Sequence, residues 1–205
     1  MTIDRKAVII EESEKRRTDA MFVILSGCAA VGKNTVINTL LGEENSAFGF
    51  MPTYTTRAPR PGEVEGFPYH FLTEEQFRGK ISEGELFEHE FIHTSYYGSS
   101  RKLLAKALAT GKTIIKDIDV KGAVNLGRIL KDEVKVVTVF LYIGKEELER
   151  RLIGRGDSPE QIKIRMSRYE EEMSYFDSFD YTIENIRLED TVRRVKEIVA
   201  LESDR

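Results

Sequence analysis

Residues 21–41 read MFVILSGCAAVGKNTVINTLL, and the fold turns on how this stretch is interpreted. The apolar run Met21 to Leu25 predicts a buried strand, Gly27 to Lys33 a tight loop, and Asn34 to Leu41 the helix that the loop opens into. Such a unit grips phosphate. Main-chain N–H groups of the loop and the first helical turn converge on an anion, and the helix dipole adds partial positive charge. The Lys33 ammonium reaches the outer phosphates, and Gly27 and Gly32 let the backbone come close.

The pattern G-x-x-x-x-G-K-[ST] is met except at its last position, where Asn34 stands and the hydroxyl arrives one residue late, as Thr35. In a phosphate loop that hydroxyl ligates Mg²⁺. Two routes remain open: the Asn34 amide oxygen substitutes as a neutral hard ligand, or phosphates and water hold most of the metal. Cys28 also lies in the loop. Beside Lys33 and a helix N-terminus, its thiol is a candidate for a lowered pKa and ready alkylation, set against the commoner case of a small residue that the loop tolerates.

Working outward, 205 residues fit one domain with small inserted lobes. Hydrophobic content of 40% and charged content of 32% describe a soluble globular chain, neither disordered nor membrane-embedded. A net charge of -4 argues against a general nucleic-acid binder, so any phosphate chemistry needs its arginines gathered locally. The single cysteine excludes an intramolecular disulfide and suits a reducing cytoplasm. Residues 1–20 carry acids on both sides of a short apolar run, unlike a secretory signal or transit peptide, and read as a polar extension. No stretch is long enough to span a bilayer.

Beyond the first helix, Gly49 to Thr56 reads as one short strand. Pro59, Pro61, Gly62 and Gly66 forbid regular structure in the segment TTRAPRPGEVEGFPYHF, which leaves Arg57 and Arg60 on a loop. Thr73 to Gln76 is a capping box opening a helix to about Glu83. Leu86 to Ile92 alternates as a strand, and YYGSS (Tyr96 to Ser100) reads as a turn into a helix from Arg101 to Thr110. Thr113 to Ile118 is a buried strand carrying Asp117 and Asp119 at its end. A helix (Val120 to Leu130), a long apolar strand (Val134 to Ile143) and a helix (Lys145 to Leu152) follow. A Pro159-started helix carries Arg165 to about Tyr175, and a short strand (Tyr181 to Ile183) and an amphipathic helix (Leu188 to Leu201) end the chain. This alternation predicts an α/β fold, a parallel sheet flanked by helices, with ligands at the carboxyl ends of the strands. His70, His89 and His93 are scattered and read as structural.

From Met21 onward the sequence resembles the guanylate kinases. The pieces that match, in order, are GCAAVGKNT, TTRAPRPGE with Tyr69, GELFE, YYGSS, DIDVKG, ERRLIGRG and the strand end at Asn185. The resemblance implies a P-loop NTPase-type core (21–51, 104–145 and 178–205), a GMP-binding lobe (about 52–103) and a lid (about 146–177). It also implies transfer of the ATP γ-phosphate to GMP, and to dGMP, with Mg²⁺, by a cytoplasmic monomer or homodimer that binds neither nucleic acid nor membrane.

By the same resemblance, ATP meets Gly27, Cys28, Ala29, Ala30, Val31, Gly32, Lys33, Asn34 and Thr35, with Asn185 near the adenine. Arg57, Arg60, Tyr69, Tyr97 and Thr53 hold the monophosphate, bidentate guanidinium and phenol donors suiting a dianion. Lys33, Arg60 and the lid arginines Arg151, Arg155 and Arg165 neutralise the transferring phosphate. Asp117 stands on the GMP side as a carboxylate that orients metal water or arginine, and with Asn34 it is the candidate metal ligand. The chemistry of guanine points the same way: its N1–H and amine suit the Glu88 carboxylate with Asp119 assisting, and the Ser99 hydroxyl serves O6 or N7. Cys28, Ala29, Asn34 and Lys121 depart from the family pattern. They keep open the alternative of a guanylate-kinase-like binding module with little catalysis.

Overall fold

The computed structural model describes residues 21–60, 62–92 and 94–205. The expectations for residues 1–20, Pro61 and His93 fall outside them. In chain order the elements are β1 (Met21–Gly27), α1 (Lys33–Gly42), β2 (Phe48–Phe50), β3 (Thr53–Thr55), β4 (Tyr69–Phe71), α2 (Glu74–Ser82), β5 (Leu86–Ile92), β6 (Ser95–Ser100) and α3 (Arg101–Leu108). They continue as β7 (Thr113–Asp117), α4 (Val120–Leu130), β8 (Lys135–Tyr142), α5 (Lys145–Gly154), α6 (Pro159–Ser167), α7 (Tyr169–Met173), β9 (Tyr181–Glu184) and α8 (Leu188–Ser203). The described chain divides into two compact units, Gly49–Ile114 and Met21–Phe48 with Ile115–Arg205.

The core sheet has the order β2-β7-β1-β8-β9, with β1, β8 and β9 parallel and in register from Met21↔Lys135 to Gly27↔Leu141. Every residue of β1 is buried. A strand covered by helices on both faces must be apolar throughout, which is why MFVIL carries no alternation. Phe22, Ile24 and Leu25 meet Ile115, Val139, Phe140 and Leu141 in a core from which water is excluded. Ser26, the one polar side chain of β1, is satisfied by donating to the Ile118 carbonyl at 2.7 Å. That bond ties the mouth of the phosphate loop to the end of β7, where Asp117 and Asp119 lie.

The smaller unit carries a four-stranded sheet of order β4-β3-β6-β5, and here the sequence reading needs three corrections. The stretch 49–56 is two strands in different sheets, β2 and β3, because Pro52 between them has no N–H to continue a ladder. Tyr69–Phe71, read as loop, is a strand parallel to Thr53–Thr55. YYGSS is not a turn but most of β6, antiparallel to β5. Its glycine misled: a Cβ on Gly98 would lie 2.9 Å from both Phe77 and Leu86, so glycine is there for close packing and not for chain reversal. The capping box before α2 is formed in both directions, Gln76 N–H to Thr73 Oγ1 at 3.2 Å and Thr73 N–H to Gln76 Oε1 at 2.9 Å.

A fourth correction concerns the helix expected to run from Pro159 to Tyr175. It breaks at Arg168, whose N–H turns back to the Arg165 and Met166 carbonyls. The short α7 follows, then a turn at Phe176–Ser178 whose Phe176 ring packs on Phe140 and Tyr142 at 5.9 and 5.1 Å. Tertiary docking, not propensity, ends this helix.

The smaller unit is fastened by Glu85. Its carboxylate receives Lys80 Nζ at 2.9 Å, Ser100 Oγ at 3.1 Å and Tyr54 Oη at 3.2 Å, joining α2, β3 and the end of β6. The hydrogen bond from Lys80 leads the causes that hold its carboxyl below the usual range. A carboxylate with a depressed folded pKa stabilises fully above its unfolded pKa, and that contribution disappears as pH falls through the folded value. Glu85→Gln is therefore expected to cost about 1–2 kcal/mol at neutral pH. Thermal melts of both proteins should converge as the pH drops below the carboxylate range; a constant difference would assign the loss to packing.

Candidate functional site

In the larger unit the phosphate loop runs from Gly27 to Gly32, and both ends require glycine. Gly27 has φ +130°, and a Cβ there would sit 2.0 Å from the Leu141 carbonyl oxygen. Gly32 has φ +102°, and a Cβ would approach Asn185 Nδ2 to 2.7 Å. Helix α1 begins at once after Gly32 with no side-chain cap and no acid in its first turn. Its first N–H groups are thus left for an external anion, the arrangement that binds phosphate.

A cleft of about 530 Å³ opens over this loop. Ala29, Ala30 and Gly32 form its floor, with Lys33, Asn34 and Thr35 at the head of α1. Asp117, Arg151, Arg155 and Arg165 complete the wall, so four cations face one carboxylate. Lys33 Nζ donates to the carbonyls of Gly27 at 2.7 Å and Cys28 at 3.0 Å. Burial pulls its pKa down, an effect that Asp117 and Glu172 oppose most.

The three arginines are held differently. Arg151 donates from Nε to Glu147 at 2.8 Å and from its terminal nitrogens to the Val31 carbonyl at 3.2 Å and the Asn185 carbonyl at 2.8 Å, so it braces the loop itself. Arg155 and Arg165 share Asp157, Arg155 Nε at 2.8 Å and Arg165 Nε at 3.0 Å. Asp157 presents both guanidinium groups to the cleft, a part the sequence reading did not give it.

Asn185, expected near the adenine, lies beside the loop with its amide already in use. Nδ2 donates to the Val31 carbonyl at 2.6 Å and Oδ1 accepts from Thr191 Oγ1 at 2.7 Å. It therefore supports the loop from α8. Asp119 caps α4, one carboxylate oxygen accepting the Gly122 N–H at 2.9 Å.

The idea of a reactive Cys28 is overturned. The thiol is 1% exposed, and burial, with the neighbouring Glu172 charge, pushes its pKa up to about 12 against the smaller opposing pull of Lys33. A helix N-terminus lowers a thiol pKa only where water or a cation can stabilise the thiolate, and this one faces a carboxylate. Glu172 was not foreseen, since the sequence reading gave YEEEM only a place on the helix that Pro159 starts.

In the smaller unit the monophosphate candidates gather on β3, β4, β6 and the loop between β3 and β4. The Arg57 guanidinium lies over the rings of Tyr69 and Phe71 at 5.2 and 5.9 Å, and Tyr69 stands edge-on to Tyr97 at 5.8 Å. Glu63, also unforeseen, takes both Arg57 Nη2 contacts at 2.8 and 3.0 Å and the Arg60 N–H at 2.7 Å. Both arginines thus already share an anion. Thr53 is buried on β3. The partner expected for a nucleobase is in register: Glu88 on β5 sits directly opposite Ser99 on β6. Opposed residues of an antiparallel pair present their side chains on one face. Ser99 is fully buried, and its hydroxyl has no hydrogen-bond partner among the described residues. Of the three histidines, His70 is tied to Glu65 at 2.5 Å, a structural role.

Parallel strands feeding a glycine-bounded loop and an uncapped helix, with a half-buried lysine and arginines around the opening, define a P-loop NTPase-type α/β protein built to handle phosphate. Comparison with known proteins narrows this. Residues 19–202 match the guanylate kinase family model. Guanylate kinases of Clostridium perfringens (34% identity, 90% of this chain and 85% of theirs) and Shewanella denitrificans (37%, 86% and 84%) are similar along nearly their whole length. The crystal structure of guanylate kinase from Anaplasma phagocytophilum superposes with a TM-score of 0.69 at 30% identity, covering 91% of this chain and 87% of that one. The chain belongs to the guanylate kinase family.

Proposed function

We propose that the chain transfers the γ-phosphate of ATP to GMP, and to dGMP, giving ADP and the nucleoside diphosphate. The observation that carries the acceptor's identity is the orphan Ser99 hydroxyl set opposite Glu88. A buried hydroxyl without a partner costs free energy, and a ligand atom that pairs with it recovers that cost. Guanine offers two adjacent donors to a carboxylate and acceptors at O6 and N7 to a hydroxyl, whereas adenine would leave the carboxylate facing a ring acceptor. Arg57, Arg60, Tyr69 and Tyr97, with Thr53, take the monophosphate.

On the donor side the loop residues from Gly27 to Thr35 hold the ATP phosphates. Lys33 and the three cleft arginines stabilise charge as the phosphoryl group passes, and no base is required because the acceptor oxygen is already nucleophilic. The residues fit Mg²⁺. Asn34 and Asp117 line the same cleft and offer an amide and a carboxylate oxygen, and Mg²⁺ in such sites takes one or two protein ligands with the rest from phosphate and water. Held there by Asn34 and Asp117, the ion would neutralise charge on the phosphates. Among the described residues no helix is long and apolar enough to cross a membrane. A single cysteine suits a reducing compartment, and the reading places the activity in the cytoplasm.

An acceptor panel tests the reading. ADP formation from ATP with GMP, dGMP, AMP, CMP or no acceptor is expected to be rapid with the guanine nucleotides alone. Tight GMP binding without turnover would replace catalysis by a binding role.

A further inference from the structure

Between β3 and β4 the smaller unit has no ladder to order its chain, and Pro59 brings no N–H to one. One carboxylate organises this loop instead. Glu63 accepts Arg57 Nη2 on both oxygens, at 2.8 and 3.0 Å, and the Arg60 N–H at 2.7 Å. Its own N–H donates to the Arg60 carbonyl at 3.0 Å, so one residue holds both main-chain groups of Arg60. The other end of the brace is fixed to β3, where Thr55 Oγ1 accepts the Arg57 N–H at 3.1 Å. The Arg57 and Glu63 side chains are 17% and 18% exposed, so bulk water and salt screen this pair less than one on the surface. Arg57 Nη1 donates to the Ala58 carbonyl at 2.7 Å, and the guanidinium lies over the rings of Tyr69 and Phe71. The Arg60 guanidinium makes no hydrogen bond or ion pair among the described residues.

We infer that Glu63 is a positioning residue for the acceptor's phosphate: by joining the Arg57 guanidinium to the Arg60 main chain, it sets the two arginines relative to one another before any nucleotide arrives. It rests on the reading of Arg57, Arg60, Tyr69 and Tyr97 as the monophosphate seat. An arginine that is already held loses less rotamer freedom when it grips an anion than one that swings in water. A carboxylate beside that seat would also repel a dianion, so positioning and repulsion predict opposite effects of removing it. The bonding pattern favours positioning. A stand-in that filled the place of the phosphate would take donors from both guanidinium groups, whereas Glu63 takes one nitrogen of Arg57 and a main-chain N–H. Donors of both arginines are left for the ligand.

Two measurements keep the brace apart from the nucleotide reading. Trypsin must take the arginine side chain into its own pocket, so cutting of the Arg57–Ala58 bond, followed as the fragment that begins at Ala58, reports on the brace with no nucleotide present. In Glu63→Ala that bond should be cut about tenfold faster than in the unmodified chain, because cleavage tracks the population of the opened loop. An unchanged rate in the folded variant refutes the brace. Calorimetry then compares GMP with guanosine, which carries the same base and no phosphate. In Glu63→Ala the Kd for GMP is expected to rise about tenfold, the order of one charge-assisted hydrogen bond, while that for guanosine stays within about twofold. Glu63→Gln keeps an acceptor for the Arg60 N–H but loses the charge that holds Arg57. It should fall between the two on both measures, and it serves where the alanine variant does not fold. Tighter binding of GMP would make Glu63 a competitor of the phosphate and overturn the proposal. An equal loss for GMP and guanosine would reduce Glu63 to support of the sheet and overturn it too. If the unmodified chain binds GMP no more tightly than guanosine, the monophosphate reading itself fails and the positioning role falls with it, whatever trypsin shows of the brace.

Discussion

Lys33→Ala is expected to lower kcat by about 10²–10³, the usual loss when a preorganised donor aimed at a transferring group is removed. The lysine sits at the head of α1 with its ammonium on two loop carbonyls, so it is held in the cleft without help from a substrate. Burial works against its charge, which means the folded chain gains little stability from it. The variant should therefore melt at the same temperature as the parent or slightly higher while turnover collapses. Single-turnover ATP consumption in the presence of GMP measures the loss, and a decrease below about tenfold would demote Lys33 to ground-state binding.

Glu88→Gln should reduce kcat/KM for GMP by about 10³, because a site built to pair with a nucleobase then opposes donor to donor. The glutamine amide keeps one acceptor oxygen but turns its NH₂ toward one of the two guanine donors. Its register opposite Ser99 is unaltered by so small a change, so the fold of the smaller unit should persist. Competition between GMP and AMP at equal concentration is the sensitive measurement. The preference for GMP should shrink by the same factor, and a loss shared equally by both acceptors would mean that Glu88 shapes the sheet and reads no base.

The phosphate-loop cleft of the larger unit was legible from local sequence because its parts are local. A glycine-bounded loop between an apolar strand and a helix has few conformations open to it, and Lys33, Asn34 and Thr35 follow within one turn. Arg151, Arg155 and Arg165 were found only through resemblance, and the structure brings all three to the same cleft. The acids that hold these cations could not be read the same way. Asp157, Glu63 and Glu172 occur in charge-rich stretches that look like solvent-facing surface, and nothing in their spacing distinguishes an acid that meets water from one that meets a guanidinium or a loop amide. The reactive alternative weighed for Cys28 fails for the same reason. The sequence placed it beside Lys33, but only the fold brought Glu172 against it and closed it to water.

The phosphate loop, the strand and helix that flank it and the capping box of α2 follow from residues within a few positions of one another, so the sequence alone determined them. Long-range pairing was decided by the tertiary structure: the splitting of residues 49–56 between two sheets, the use of YYGSS as a strand rather than a turn, and the break of the helix at Arg168. In each case the local signal was ambiguous, and burial of side chains from distant parts of the chain chose among the alternatives. Gly98 shows the reason most directly, since its missing side chain makes room for Phe77 and Leu86, and a requirement for empty space belongs to the neighbours and not to the glycine itself.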